Sequence, residues 1–223
     1  MRRLLVFLKD PAPGRVKTRL AQAIGPDAAS AVSRACAELT LERLGAFRAQ
    51  TTLYVDPPEA LPQVRAWLGA PWIMRPQQGR TLGDRLADAT RHAFGEGATR
   101  VVVLGTDSPW LRAEDVEAAF HALEQAELVL GPTEDGGYYL LGLSRRAPAL
   151  FQGIAWSSPR VYAQTLERAR ALGLRIHPLP MGYDLDYLED VKRFLEEERR
   201  RDVIPATVQA IDACSQRREA CRS

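Results

Sequence analysis

The chain has 223 residues and a formal net charge of +2. That length suits one well-filled α/β domain. The near-balanced charge argues against a nucleic-acid binder that relies on bulk positive potential, and the lack of any apolar run of about 18 residues argues against a membrane span. Three cysteines, Cys36, Cys214 and Cys221, show no C-x-x-C spacing, which fits a reducing, cytoplasmic setting and neither a disulfide framework nor a zinc site.

Residues 1–8 combine arginines with a short apolar stretch that runs into Lys9-Asp10 without a small-residue cleavage site. They read as a first strand, Arg3–Leu8, and not as a signal peptide. A loop stiffened by Pro11, Pro13 and Gly14 follows, flanked by Lys9, Arg15, Lys17 and Arg19, and then a helix over Val16–Ala23. A tight path with free backbone N–H groups, a helix start and several cations attracts a polyphosphate. The alternative is a βα turn whose basic residues are merely solvated. The loop is not a Walker A motif, because Lys17-Thr18 has only Gly14 before it, and it holds no G-x-G-x-x-G.

A helix over Asp27–Ala46 carries Cys36 in an apolar pattern, as a small core residue. The strand Thr51–Val55, a proline-marked loop, the helix Ala60–Leu68 and the strand Trp72–Arg75 come next. Gln77-Gln78-Gly79-Arg80-Thr81-Leu82-Gly83-Asp84-Arg85 opens a helix over Leu82–Phe94, whose Leu82, Leu86, Ala89 and Ala93 recur at helical spacing. Gln78, Gly79 and Gly83 there are candidates for approach to a base edge, with Arg80 or Arg85 in reach of phosphate.

Arg100–Leu104 is a continuous apolar run, as expected of a central parallel strand. It empties into Gly105-Thr106-Asp107-Ser108-Pro109, so Asp107 stands at a strand's carboxyl end, where ligands bind in such sheets. A carboxylate facing a polyphosphate calls for a divalent metal between them, and Mg²⁺ (or Mn²⁺) suits that role. The alternative makes Asp107 or Ser108 a helix cap. After the helix Ala113–Ala122 and the strand Leu128–Leu130, Asp135-Gly136-Gly137 precedes the strand Tyr138–Leu143. The glycines permit close approach to a ligand, but Asp-Gly is also a strong turn signal.

A helix over Pro159–Leu172 and a strand over Leu174–Pro178 lead to Tyr183-Asp184-Leu185-Asp186. Alternation in D-x-D turns both carboxylates to one side, suited to a metal. The alternative has Asp186 capping the helix Leu188–Arg201, with Glu189 completing a capping box. The mixed-charge block Glu196–Arg201 reads as a solvated face. A last helix, Ala206–Ala213, precedes a frayed tail, which gives a nucleotide-binding transferase domain over 1–204 and a C-terminal helix and tail over 205–223. His92, His121 and His177 fall on separate elements and form no metal site. No G-x-S-x-G elbow exists.

The regular βα alternation predicts right-handed crossovers and a single three-layer α/β domain with a mostly parallel sheet. Taken together, Lys9…Pro13-Gly14…Lys17-Thr18-Arg19-Leu20, Gly105-Thr106-Asp107-Ser108-Pro109, Asp135-Gly136-Gly137-Tyr138-Tyr139 and Asp184-Leu185-Asp186 resemble a family of bacterial proteins with the glycosyltransferase-A, or nucleotide-diphospho-sugar transferase, fold. The first loop is also similar to the K-[ST]-R-L segment of 2-phospho-L-lactate guanylyltransferases. The resemblance covers residues 1–200 and implies that Asp107 is the metal aspartate and the first loop the phosphate cradle. One departure is that nucleotidyltransferases of this fold often carry G-G-x-x-x-R where this chain has Pro-Ala-Pro-Gly.

The expected activity is Mg-dependent transfer of a nucleoside monophosphate from an NTP to a small phosphorylated or carboxylated acceptor. Glycosyl transfer from a nucleoside-diphosphate sugar is the alternative, and a non-catalytic nucleotide-binding protein a third reading. Lys17, Asp107 and Asp135 are the candidate catalytic residues. Lys9, Pro13, Gly14, Arg15, Lys17, Thr18, Arg19, Gln78, Gly79, Gly83, Gly136 and Gly137 are the candidates for nucleotide binding, and Asp107, Asp184 and Asp186 those for metal.

Overall fold

The computed structural model describes residues 1–200 and 205–216. In chain order the elements are β1 (Arg2–Lys9), α1 (Thr18–Ile24), α2 (Pro26–Arg43), a 3-10 stretch over Gly45–Gln50, β2 (Thr51–Asp56), α3 (Leu61–Leu68), β3 (Ile73–Pro76), α4 (Leu82–Gly95) and β4 (Arg100–Leu104). They continue with α5 (Ala113–Ala122), β5 (Leu128–Pro132), β6 (Tyr138–Leu143), a 3-10 turn over Pro148–Phe151, α6 (Val161–Ala171), β7 (Ile176–Pro178), α7 (Leu188–Arg199) and α8 (Ala206–Ser215). Every expected strand and helix is present. The largest boundary shift is in α2, which stops at Arg43 where the pattern suggested Ala46. The expected helix end at Arg201, the tail beyond Gln216 and Cys221 lie outside the described residues.

The strands form one seven-stranded sheet in the order β3-β2-β1-β4-β6-β5-β7. β1 pairs parallel with β4, β2 with β3, and β5 with β7. β6 lies antiparallel between β4 and β5. The reason is the connection: residues 133–137 are too few for the crossover of a dozen or more residues that a parallel return requires. The sheet is therefore mostly parallel, as the alternation implied, with one reversed strand.

Packing divides the chain into two compact units assembled from interleaved segments. The first comprises Met1–Leu8, Ala46–Gly105 and Ala113–Tyr183. The second comprises Lys9–Gly45, Thr106–Arg112 and the C-terminal segment from Asp184. No shift in composition marks this division in the sequence.

In the first unit, Leu5, Val101, Val103, Leu141 and Leu143 on one face of the sheet cluster with Leu86, Ala89 and Ala93 of α4 and with Leu150 and Phe151. The alternate residues Leu4, Val6 and Val102 are fully buried too, and Arg2, on that second face, lies over the Phe120 ring of α5. Cover on both faces is what an uninterrupted apolar strand needs. In the second unit, Val208, Ile211 and Cys214 of α8 are buried, and α8 packs on α2 and α7. Burying Val208 and Ile211 contributes about 1.5–3 kcal/mol each. Among the described residues no helix is long and apolar enough to cross a membrane.

Candidate active site

The second unit gathers three segments: the loop after β1, the loop after β4 and the stretch before α7. Backbone pairing joins the last two, for the Leu185 N–H donates to the Asp107 carbonyl at 2.9 Å. Beside it the Ser108 hydroxyl donates to Asp184 Oδ1 at 2.5 Å. The Leu111 N–H closes a turn on the Ser108 carbonyl at 3.1 Å. Asp107 therefore sits on a loop whose backbone is fixed on either side of it.

Lys17 completes the centre. Its Nζ donates to Asp107 Oδ1 at 2.8 Å and to the Leu185 carbonyl at 2.9 Å. The lysine side chain is 2% exposed, whereas the aspartate keeps 52% of its side-chain surface open. Lys17 also adopts a left-handed backbone, φ 44° and ψ 48°, directly before α1, a conformation that costs an L-residue about 1–2 kcal/mol. Such strain persists only where surrounding contacts over-determine it, and here the two bonds from Nζ do so. Burial works against the lysine's charge, but Asp107 and Asp186 outweigh it and hold its pKa above that of an ordinary lysine. The Lys17 ammonium in turn holds the Asp107 carboxyl below the usual carboxylate range, with a further contribution from Lys9.

The sequence led us to expect Lys17 in direct contact with phosphates. Instead its ammonium is buried and engaged with Asp107 and Leu185, so it works as a strut. The exposed residues of the first loop are Lys9, Pro13, Gly14, Arg15, Thr18 and Arg19. The buried Val16 anchors that loop, as does a hydrogen bond from the Ser30 hydroxyl to the Pro11 carbonyl.

The alternative in which Asp186 caps α7 with Glu189 is not what the structure shows. The cap position falls to Tyr187, because Asp190 reaches back and accepts from the Asp186 N–H at 3.0 Å and the Tyr187 N–H at 2.7 Å. This one-residue shift leaves the Asp186 carboxylate to pair with Arg19 at 3.1 Å. The Arg19 guanidinium also lies 5.6 Å from the centre of the Tyr187 ring.

The remaining candidates belong to the first unit. Asp135 Oδ1 accepts from the Thr133 hydroxyl at 2.6 Å and the Gly137 N–H at 3.0 Å, so its carboxylate is engaged in its own turn. Gly136 has φ +86°, and a Cβ there would meet the Pro159 carbonyl oxygen at 2.1 Å. Gly79, with φ +136°, passes over the start of α4, where a Cβ would strike Asp84. Gly83 is buried inside α4, and a Cβ would lie 2.6 Å from Trp156 Nε1. Its absent side chain thus serves helix packing and not ligand approach, a correction to the sequence expectation. Gln78 is exposed, while its neighbour Gln77 is buried and donates to the Tyr54 carbonyl at 3.0 Å.

One buried cluster escaped the sequence reading. Glu198, within the block taken as a solvated face, is 1% exposed. Its carboxylate pairs with Arg43 at 2.5 Å and with Arg112 at 3.2 Å. The block is mixed in charge, but position 198 continues the apolar stripe of Val191, Phe194 and Leu195. That periodicity was the available signal.

The side-chain partner of the Asp107 carboxylate is the Lys17 ammonium, while Asp184 accepts from Ser108 and Asp186 pairs with Arg19. Carboxylate oxygens are the donors that suit a hard cation such as Mg²⁺ or Mn²⁺. Among the described residues no three His, Cys, Asp or Glu side chains form a cage. The expected three-carboxylate set of Asp107, Asp184 and Asp186 is therefore not gathered into one metal-holding group. A mostly parallel sheet of this kind binds its ligands in the loops that follow the carboxyl ends of its strands, and the class of protein the chain belongs to is given by comparison with known proteins.

Over 202 residues the chain is 29% identical to a phosphoenolpyruvate guanylyltransferase of Chloroflexus aggregans, covering 82% of this chain and 92% of that one. Its fold matches, with a TM-score of 0.90 and 33% identity over 97% of both chains, a Desulfovibrio desulfuricans G20 protein assigned to the nucleotide-diphospho-sugar transferases. More distantly, at 16% identity and a TM-score of 0.53 over 87% of this chain and 98% of that one, it shares its fold with Rv0371c of Mycobacterium tuberculosis H37Rv, solved with manganese. The protein is a transferase of nucleotidyltransferase-like kind. It belongs to the family described as "Uncharacterized protein conserved in bacteria (DUF2064)", whose model matches residues 40–158.

Proposed function

We propose that the protein is a divalent-metal-dependent nucleotidyltransferase that moves a nucleoside monophosphate, from GTP by analogy with its guanylyltransferase relative, to a small phosphorylated carboxylic acid. The observation that carries this reading is the half-open Asp107 carboxylate, braced by the buried Lys17 beside a loop of exposed cations. In the reaction a phosphate oxygen of the acceptor attacks the α-phosphorus. A new P–O bond forms, the α–β P–O bond breaks, and pyrophosphate leaves with the electron pair. The nucleophile is already an anion at neutral pH, so no general base is needed.

Lys9, Arg15 and Arg19, exposed around the first loop, bind the β- and γ-phosphates and favour the charge that gathers on the leaving pyrophosphate. Lys17 keeps Asp107 ionised and oriented. Asp107, with Asp184 or Asp186, would hold Mg²⁺ or Mn²⁺, which when bound offsets charge at the α-phosphate. Asp135 stabilises its turn, with any catalytic part secondary to that. A reducing, cytoplasmic setting accords with the odd cysteine count.

Glycosyl transfer is the second reading, favoured by the class assigned to the Desulfovibrio protein. The test is to incubate the purified protein with each of the four NTPs and phosphoenolpyruvate, with and without Mn²⁺ or Mg²⁺, and to follow pyrophosphate release. Parallel reactions offer UDP- and GDP-sugars. Metal-dependent pyrophosphate release with GTP is expected. Binding and turnover of the sugar nucleotides alone would establish the second reading.

A further inference from the structure

We infer that Glu198, Arg43 and Arg112 form a buried positioning device for the Asp107 loop. Arg43, the last residue of α2, has one guanidinium and two tasks. Its Nη1 donates to the Pro109 carbonyl, two residues beyond Asp107, and its Nη2 donates to Glu198 Oε2 at 2.5 Å. Arg112, at the far end of the same loop, donates from Nη2 to Glu198 Oε1 at 3.2 Å and to Oε2 at 3.4 Å. Glu198, on the last turn of α7, therefore ties the loop at Arg112 directly and at Pro109 through Arg43.

The arrangement is buried at its centre. Glu198 is 1% exposed and the Arg43 side chain 7%, while Arg112 keeps 34% of its side chain open. The Arg43 guanidinium also lies 5.8 Å from the centre of the Phe194 ring, one turn back along α7. Burying charges in this way adds little net stability, because desolvation offsets the attraction. What a planar, fork-shaped guanidinium offers beyond an apolar residue is direction, since its donors fix two acceptors at once.

The loop is thus gripped at both ends. Leu185 and Lys17 hold Asp107 itself, and the Arg43–Glu198–Arg112 cluster holds residues 109 and 112. The cluster's effect passes through the placement of Asp107, and misplacing a reacting group by about 1 Å can cost on the order of a hundredfold in rate. This inference rests on the nucleotidyl-transfer reading of the Asp107 site.

The test is the double variant Arg43→Met/Glu198→Met, which removes the cluster's directed bonds and its two most buried charges and leaves Arg112, a third exposed, to solvent. Replacing a buried ion pair by apolar side chains is often neutral for folding. The buried Pro109 carbonyl loses its donor, however, so the melting temperature should fall, by no more than about 12 °C. Two readouts are expected to move. Hydrogen exchange of the amides of residues 106–112 should accelerate about tenfold or more while those of β4 remain protected, a result that needs no turnover. The kcat for pyrophosphate release should fall about 10- to 100-fold, more than KM for the nucleotide rises.

Arg43→Lys, which keeps the charge but not the fork, should show an intermediate loss. Unchanged loop exchange and unchanged kcat would overturn the positioning role. So would a double variant that cannot fold, because the cluster would then be a requirement of folding. Failure of the nucleotidyl-transfer reading looks different: wild type itself would release no pyrophosphate, whereas the exchange measurement would still report on the loop.

Discussion

Lys17→Met removes the ammonium at the centre of the site and keeps most of the side chain's apolar bulk. The lysine makes two charge-assisted hydrogen bonds, to Asp107 and to the Leu185 carbonyl, of the kind that contributes about 1.5–3 kcal/mol each when buried. The Asp107 bond is discounted toward about 1 kcal/mol, because that carboxylate is half open to solvent. The Leu185 carbonyl, on a fully buried residue, would lose this donor at a cost of about 1–3 kcal/mol. Methionine regains part of this, since no ammonium has to be desolvated. A net loss of about 3 kcal/mol follows, which for a chain of this size lowers the melting temperature by roughly 6–12 °C. Combining Lys17→Met with Asp107→Asn in a double-mutant cycle isolates the pair, and a coupling of about 1 kcal/mol or more is expected from urea unfolding. Each single variant should also lose nearly all metal-dependent turnover. Additivity within about 0.3–0.5 kcal/mol, or full turnover in either variant, would refute the strut.

Gly136→Ala should destabilise the protein by about 2–4 kcal/mol, from left-handed strain plus overlap with Pro159; a loss below about 0.5 kcal/mol in chemical denaturation would contradict that geometry. The Asp84 carboxyl is held below its ordinary value by the Thr81 N–H, with help from the Thr81 hydroxyl. Its folded pKa is depressed, so its stabilisation is complete above the unfolded carboxylate range and fades as pH falls through the folded value. The stability curves of wild type and Asp84→Asn should therefore converge below about pH 4, and a gap constant from neutral pH to pH 3 would exclude this. Burial pushes the Cys36 thiol up to about 11, against an opposing pull from Lys17. Peptide mass spectrometry should find Cys36 unalkylated by iodoacetamide at pH 8 until the chain is unfolded, and rapid labelling of the native protein would count against its burial.

The placement of several candidate residues could be read from residue order, for reasons specific to each segment. Val101–Leu104 is apolar at every position, so it had to be a covered strand, and the odd sequence behind it had to fall at its carboxyl end. Asp184 and Asp186 stood out by spacing alone. The reversal of β6 was hidden, because a short Asp-Gly turn signals a hairpin but does not say that the hairpin sits inside a parallel sheet. Lys17 was legible as a cation but not as a buried one. Its burial depends on Asp107 and Leu185, about 90 and 168 residues away in sequence, and no local pattern carries that. Glu198 lies one helical turn beyond the buried Phe194, but it stands in a run of charges, and such a run is ordinarily solvated.

The two surprises have one physical cause. A carboxylate that is to meet a cation and a polyphosphate must be open to solvent, so it cannot be immobilised by being packed. Asp107 is fixed through its surroundings instead. Leu185 holds its carbonyl, Lys17 one carboxylate oxygen, Arg43 the Pro109 carbonyl and Asp184 the hydroxyl of Ser108. Each brace is polar and comes from a distant part of the chain, and the cationic ones, Lys17 and Arg43, are themselves buried. Buried charge is tolerable only with a partner, which is why Lys17 is matched by Asp107 and Arg43 by Glu198. The open aspartate is thus held by closed contacts around it, two of them from buried cations that distant residues neutralise, and that pairing over long separations is what residue order does not display.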